Sequence, residues 1–259
     1  MTVETIQNPG AAIAAGQKLA IADCDIHPSP KSVEKEVFPY LEKRWQDHYN
    51  TYGLLLRQPY QNGPAYPKGQ PDAARRDAYP PNGGRPGSDL AFMQTHHLDR
   101  YNIQLGILNP LRSGQGLQNP DFAAAYCKAV NDWQIAEWTS KEPRLKGSIC
   151  IPYEDAALSV QEIERRVGDP NFVQAFMLIR TSEPMGNRRY WPIYEACAKN
   201  NIPLAVHAFG FGGSPVTGGG WPSFYIEDMV GHAQSAQNLI SSIVLEGVFE
   251  RWPSLKLII

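Results

Sequence analysis

A chain of 259 residues with 42% hydrophobic and 10% aromatic side chains can bury a large core, which excludes disorder for most of its length. Its formal charge is -2, with Lys and Arg spread along the chain, so no nucleic-acid groove or polybasic membrane surface is indicated and a small molecule is the expected partner. The four cysteines, Cys24, Cys127, Cys150 and Cys197, form no CxxC pair and no apolar run approaches the length of a membrane span. These features set aside a disulfide scaffold and a structural zinc site, and predict a soluble protein of a reducing cytoplasm.

Residues 1–17 read as a flexible N-terminal segment and 18–259 as one domain. The run KLAIADCD, residues 18–25, is short and apolar and is followed by Pro28 and Pro30, which predicts a buried strand that stops abruptly. Over residues 31–50, Val33, Val37, Leu41 and Trp45 recur every four positions on one helical face, predicting a helix interrupted near Pro39. Residues from about 51 to 90 read as an inserted loop, dense in proline and glycine from 57 to 89. Loops this long inside a compact domain are usually functional.

The rhythm then becomes regular. A helix around 91–102 leads to a strand at 103–108, and a helix from about Phe122 to Ser140 leads to a strand at 146–151. Helices at 156–167, 189–200 and 235–252 lead in turn to strands at 172–179, 202–207 and 255–259. Apolar strands alternating with amphipathic helices predict an α/β fold, a parallel sheet covered by helices. A doubly wound sheet gives the same alternation. The lack of a glycine-rich phosphate turn after strand one, and polar residues gathered at strand C-terminal ends, favour a (β/α)8 barrel of TIM type with about six strands present. The sequence stops in the almost wholly apolar LKLII with no helix to cover it, which predicts a truncated, incomplete barrel that self-associates as a homo-oligomer or folds weakly.

Strand one ends in Asp25-Ile26-His27, and alternation along an extended strand puts residues 25 and 27 on one side, where both reach one metal ion. Strand five ends in His207, which brings a third ligand to the same barrel face. This donor set suits zinc first, and manganese as a similar divalent ion. Arg180, at the end of strand four, either binds a substrate carboxylate through its planar guanidinium or is a surface or salt-bridge arginine. His96 and His97 are neighbours on a helix, point apart and read as structural, like His48. Trp133, Trp138, Tyr190, Trp191 and Tyr194 have the spacing of packing residues.

The segments IADCDIHPSP, GNRRYWPIYEACAKNNIPLAVH and GVFERWPSLKLII resemble the amidohydrolase superfamily, in its branch similar to aminocarboxymuconate-semialdehyde decarboxylase, from about residue 20 onward. The resemblance implies a mononuclear metal held by Asp25, His27 and His207, with Asp25 standing where the family commonly has histidine. It also implies an acidic residue at the end of strand eight and a functional residue just after strand six, positions this sequence does not reach. By the same resemblance His232, in the stretch GWPSFYIEDMVGHAQ read as a loop, lines the site as a catalytic group; otherwise it is a solvent-exposed helix-start residue. The segment FGFGGSPVTGGGW after His207 reads as a substrate loop. The expected activity is metal-dependent hydrolysis of a small ester, amide or lactone. A non-oxidative decarboxylase is the alternative within the family, and an inactive barrel fragment or interaction subunit the alternative outside it.

Overall fold

A computed structural model of the chain describes residues 18–57, 74–210, 215–216 and 220–259. The expectations for residues 1–17, for the centre of the inserted loop (58–73) and for most of the segment after His207 lie outside these. Six strands form one parallel sheet: β1 (Ile21–Ile26), β2 (Ile103–Leu108), β3 (Leu145–Cys150), β4 (Phe172–Arg180), β5 (Leu204–Gly210) and β6 (Leu257–Ile258). Each strand pairs with its successor, in the order β1-β2-β3-β4-β5-β6. A doubly wound sheet reverses direction at a switch point, and this order never does, so the fold is the α/β barrel type with the sheet left open between β1 and β6.

Helices fill the crossovers. The stretch 31–50 becomes α1 (Val33–Glu36), a 3-10 turn at Phe38–Tyr40 containing Pro39, and α2 (Lys43–Tyr52). Helix α3 (Leu90–Met93) runs on into a π turn, Gln94–Asp99, and α4 (Pro120–Gln134) into another, Ile135–Thr139. Helices α5 (Ala156–Arg166), α6 (Trp191–Lys199), α7 (Tyr225–Leu245) and α8 (Val248–Arg251) complete the layer. Their starts are set by local chemistry. Asp89, Asn119 and Asp155 each accept a hydrogen bond from the amide three residues on, at 3.0 Å, and Pro120 follows Asn119 where its missing N–H costs nothing. Tyr126, Trp133, Trp138, Tyr190 and Tyr194 are buried between helices and sheet, the packing role expected of the last four.

Strand β1, expected to be buried, buries only Ile26, and several boundaries differ from the sequence reading, those of α7 and β6 among them. Helix α7 begins at Tyr225, ten residues before the expected 235, because the Glu227 carboxylate accepts the amides of Ser223 and Phe224 at 2.8 and 2.7 Å and caps the first turn. The last strand is short: β6 pairs Leu257 with Leu204 and Ile258 with Ala205, and only Leu255 of the apolar run is buried while Ile258 and Ile259 are exposed. The beginning of the inserted stretch is tied down, with Leu56 bridging Leu117 and the Arg57 amide donating to the Gly116 carbonyl at 3.0 Å. No helix among the described residues is long and apolar enough to cross a membrane.

Candidate metal centre

The site is built at the C-terminal ends of the strands, beginning with an irregularity in β1. Asp23 pairs with Gly106 and Ile26 with Leu108, so β1 advances three residues while β2 advances two. A bulge of this kind leaves a backbone amide out of the ladder and re-aims the side chains beside it. Here the Asp25 amide donates to Asp23 Oδ1 at 3.0 Å, and Asp23 Oδ2 is held by His97 Nε2 at 2.7 Å. That contact with His97 holds the Asp23 carboxyl below its ordinary range. Asp25 and His27 do converge, as expected, but a bulge and the end of the strand bring them together rather than simple alternation.

Ligand atoms of Asp25, His27 and His207 all lie within 4.8 Å of one another. Asp25 Oδ1 is 3.1 Å from His207 Nε2, and Oδ2 is 3.6 Å from His27 Nε2. The Nδ1 atom of His27 faces the Asn109 carbonyl at 2.9 Å, and Nδ1 of His207 faces the carbonyl of Ala208. A carbonyl only accepts, so each Nδ1 faces it as an N–H donor and each ring turns Nε2 towards the Asp25 carboxylate. A divalent cation among these three groups would be held by the carboxylate and by both Nε2 atoms once these carry no proton. Burial pushes the His27 ring below its ordinary value against the pull of Asp25, favouring the neutral, ligating form. Burial also works to raise the Asp25 carboxyl, but the contact with His207 and the charge of His27 outweigh it and hold the group at about 2. Carboxylate, imidazole and imidazole are donor types that a divalent metal takes, the imidazoles binding through deprotonated Nε2.

Asn109, just past β2, was not singled out in the sequence. Its Nδ2 donates to Asp25 Oδ1 and to the Cys24 carbonyl, both at 3.0 Å, and its own amide donates to the Ile26 carbonyl at 2.7 Å. Its Oδ1 accepts from Ser148 Oγ at 2.7 Å and from Gln174 Nε2 at 3.2 Å, while Gln174 also donates to Ser148 Oγ at 2.9 Å. All three side chains are buried. The available signal was Ser148 and Gln174, polar residues within otherwise apolar strands, where burial demands a partner. The inserted stretch also reaches the site: Ser29 donates to the Gly87 carbonyl at 2.8 Å, and any Cβ at Gly87 would overlap the carbonyl oxygen of His27.

The end of β5 is irregular too. Leu178 pairs with His207 but Arg180 with Gly210, and the extra residue is absorbed by Phe209 at φ 98° and Gly210 at φ 131°. The Phe209 amide donates to His232 Nδ1 at 3.2 Å, and His232 Nε2 meets Asp228 Oδ2 at 3.1 Å. His232 therefore lies buried in α7, which overturns the reading of an exposed helix-start residue. Arg180 is buried as well, its Nη1 donating to the Gly210 carbonyl at 3.3 Å and its guanidinium 5.9 Å from the Trp221 ring, which overturns the surface reading. His96 stacks on Phe92 and His48 packs against Trp45 and Phe122, away from the ligand cluster.

A family model described as amidohydrolase matches residues 22–259. A gamma-resorcylate decarboxylase from Polaromonas sp. is 26% identical over 128 residues, which cover 46% of this chain and 39% of the relative. A 5-carboxyvanillate decarboxylase from Novosphingobium aromaticivorans, solved with manganese, superposes with a TM-score of 0.52 at 22% identity over 66% of this chain and 49% of that one. An amidohydrolase from Mycobacterium avium subsp. paratuberculosis superposes with a TM-score of 0.61 at 15% identity over 93% of this chain and 71% of that one. At such identities the two structures establish the fold. The chain spans 39% of the length of the curated relative that it matches.

Proposed function

The chain belongs to the amidohydrolase family, and from that premise we propose that it carries the metal-holding part of a decarboxylase acting on a small aromatic carboxylate. The observation that carries the proposal is the convergence of Asp25, His27 and His207 with both histidine Nδ1 atoms committed to carbonyl oxygens. Decarboxylation takes precedence over the hydrolysis expected from the sequence, because the named relatives with a stated reaction are decarboxylases. Manganese joins zinc as a metal to be tested, since the carboxyvanillate enzyme was solved with it.

When bound, a divalent ion supplies a positive centre for the substrate's carboxylate and an adjacent oxygen. Nε2 of His27, Nε2 of His207 and the Asp25 carboxylate are the groups that would hold it. Arg180, at the end of β4, is proposed to meet a substrate carboxylate through its guanidinium, with Trp221 beside it offering an aromatic face. As the carbon–carboxylate bond breaks, its electron pair stays on the ring carbon, which must take up a proton. His232, expected to be catalytic, holds a proton at Nε2 against Asp228 while Nδ1 accepts the Phe209 amide. To protonate the carbon it would have to release Asp228. Its resting contribution is to hold the backbone that follows His207. Assembly as a homo-oligomer in the cytoplasm belongs to the same proposal.

The test is metal titration of the purified chain with zinc and with manganese, together with native mass and carbon dioxide release from 2,6-dihydroxybenzoate and 5-carboxyvanillate. Binding of about one equivalent, as a single three-ligand site requires, with carbon dioxide release and no cleavage of esters or lactones, is the expected result. A metal-free, higher-order assembly would point instead to an interaction subunit.

A further inference from the structure

The geometry points to Asn109 as the positioning residue of the metal centre: its carboxamide aims Asp25, its backbone carbonyl aims His27, and the buried pair Ser148 and Gln174 aims Asn109 itself. The inference rests on the reading of Asp25, His27 and His207 as a metal site.

Asp25 is the weak point of that site. Its side chain is 56% exposed, and a short carboxylate at a strand bulge has rotamers to choose from unless something selects one. Every conformer that turns away from the histidines lowers the affinity for a cation, because binding must then also pay for ordering. Asn109 selects the conformer. One Nδ2 proton goes to Asp25 Oδ1 and the other to the Cys24 carbonyl, so the same amide grips the carboxylate and the backbone of the bulge that carries it. His27 is fixed by the same residue through the Asn109 carbonyl, which sets the imidazole tautomer and leaves Nε2 for a metal. Asp25 on β1 and His27 just past it are thus both referenced to one point just past β2.

The anchor cannot turn. The two acceptor positions of Asn109 Oδ1 are filled by Ser148 of β3 and Gln174 of β4, and Gln174 also donates to Ser148. With both donors and both acceptors engaged, reversing the amide would set its nitrogen against the Gln174 amide nitrogen and its oxygen against two acceptors. The networked side chains are buried to 4%, 0% and 4% exposure, so the bonds are shielded from competition by water. The chain of contacts runs from β4 through β3 and β2 to the ligand pair on β1.

A merely structural network would matter for folding alone, and Asn131 is the control for that. It is buried, donates to the Cys150 carbonyl at 2.9 Å and to Glu162 at 2.7 Å, accepts from the Cys150 amide at 2.9 Å, and touches none of the three ligands. The experiment titrates zinc and manganese into the full chain and its Asn109→Ala, Gln174→Ala and Asn131→Ala variants, with thermal midpoints recorded in parallel. Asn109→Ala is expected to weaken metal binding about 10- to 100-fold, the range found when groups supporting metal ligands are removed. Gln174→Ala, which frees only one of two anchors, is expected to weaken it about threefold to tenfold by the same reasoning. It serves as the reading if Asn109→Ala does not fold. Asn131→Ala is expected to lower the midpoint without changing affinity. In the metal-free chain, the Asn109 carboxamide protons should exchange slowly and shift on Asp25→Ala. Equal metal affinity in wild type, Asn109→Ala and Gln174→Ala would overturn the positioning role, as would carboxamide protons that ignore Asp25→Ala. A wild type that binds neither ion would overturn the metal reading itself, and this inference with it.

Discussion

The two ends of the sheet solve the same problem of turning the chain in opposite ways. At the end where strands begin, the non-glycine residues in the left-handed region are Asn102 at φ 54° and Asn201 at φ 53°, a residue type whose short amide tolerates that conformation after a helix. Ion pairs reinforce these turns: Arg144 makes a two-pronged contact with Glu142 at 2.8 Å on each arm and reaches Asp99 at 2.8 Å, and Arg166 joins Asp132 and Asp169. At the end where strands finish, Phe209 sits at φ 98°, which suits almost any residue less than it suits glycine, and β1 and β5, which carry the candidate ligands, both have bulges. One end is built for stability from residues suited to their conformations. The other accepts strain to aim side chains, which is the division of labour of barrel enzymes.

The largest effect that would break this comparison comes from the ligands. His207→Ala should reduce metal affinity by more than about 100-fold, beyond what loss of a supporting group does, while His96→Ala leaves it unchanged; equal occupancy in the two variants would remove the site from this end of the sheet. Next comes a pair of glycines. A Cβ at Gly210, at φ 131°, would stand 2.8 Å from the Arg180 backbone amide, whereas one at Gly168, at φ 83°, meets nothing within 4 Å. Gly210→Ala should therefore cost about 2–3 kcal/mol in denaturant unfolding and Gly168→Ala about 1 kcal/mol, strain plus overlap against strain alone.

The opposite end is probed by pH. The Arg144 fork, assisted by Gln94, holds the Glu142 carboxyl down at about 2 although burial works to raise it. A depressed carboxyl contributes stability that is complete above its ordinary value and lost as pH falls towards about 2. Glu142→Gln should flatten that part of the stability profile, cost about 1–2 kcal/mol at neutral pH and leave metal affinity untouched. The smallest effect is expected for Asn201→Gly, within about 0.5 kcal/mol of wild type, because asparagine already suits its conformation.

The features legible in the sequence are those that depend on neighbouring residues alone. Strand β2 is the run 103–108 as read, although it exposes Gln104 and Leu105, and β4 and β5 start within two residues of their expected positions; β4 is the continuous apolar run expected of a strand buried on both faces. The candidate ligands Asp25, His27 and His207, which the structure brings within 4.8 Å of one another, were legible as polar residues at strand ends. The bulges in β1 and β5 were not, since a bulge is a mismatch between two paired strands and neither sequence contains it alone. Asn109 was hidden for the same reason: its importance lies in partners on β1, β3 and β4 that are distant in sequence. The first turns of α7 were misread as loop because Pro222 and Gly231 flank them, whereas Glu227, three residues after Phe224, was the helix-start signal.

The π turns that end α3 and α4 bear on how this molecule can change in length. A π turn accommodates one residue more than an α turn without breaking its helix, so Gln94–Asp99 and Ile135–Thr139 behave like single-residue insertions stored in the outer layer. Deleting a residue there would tighten the turn and rotate the segment beyond it, with the short connections to β2 and β3 taking up the difference. Deleting one residue within β4 would instead exchange its two faces and turn Gln174 away from Asn109. Gains and losses of single residues should therefore accumulate on the helical rind of this domain and be purged from its staves.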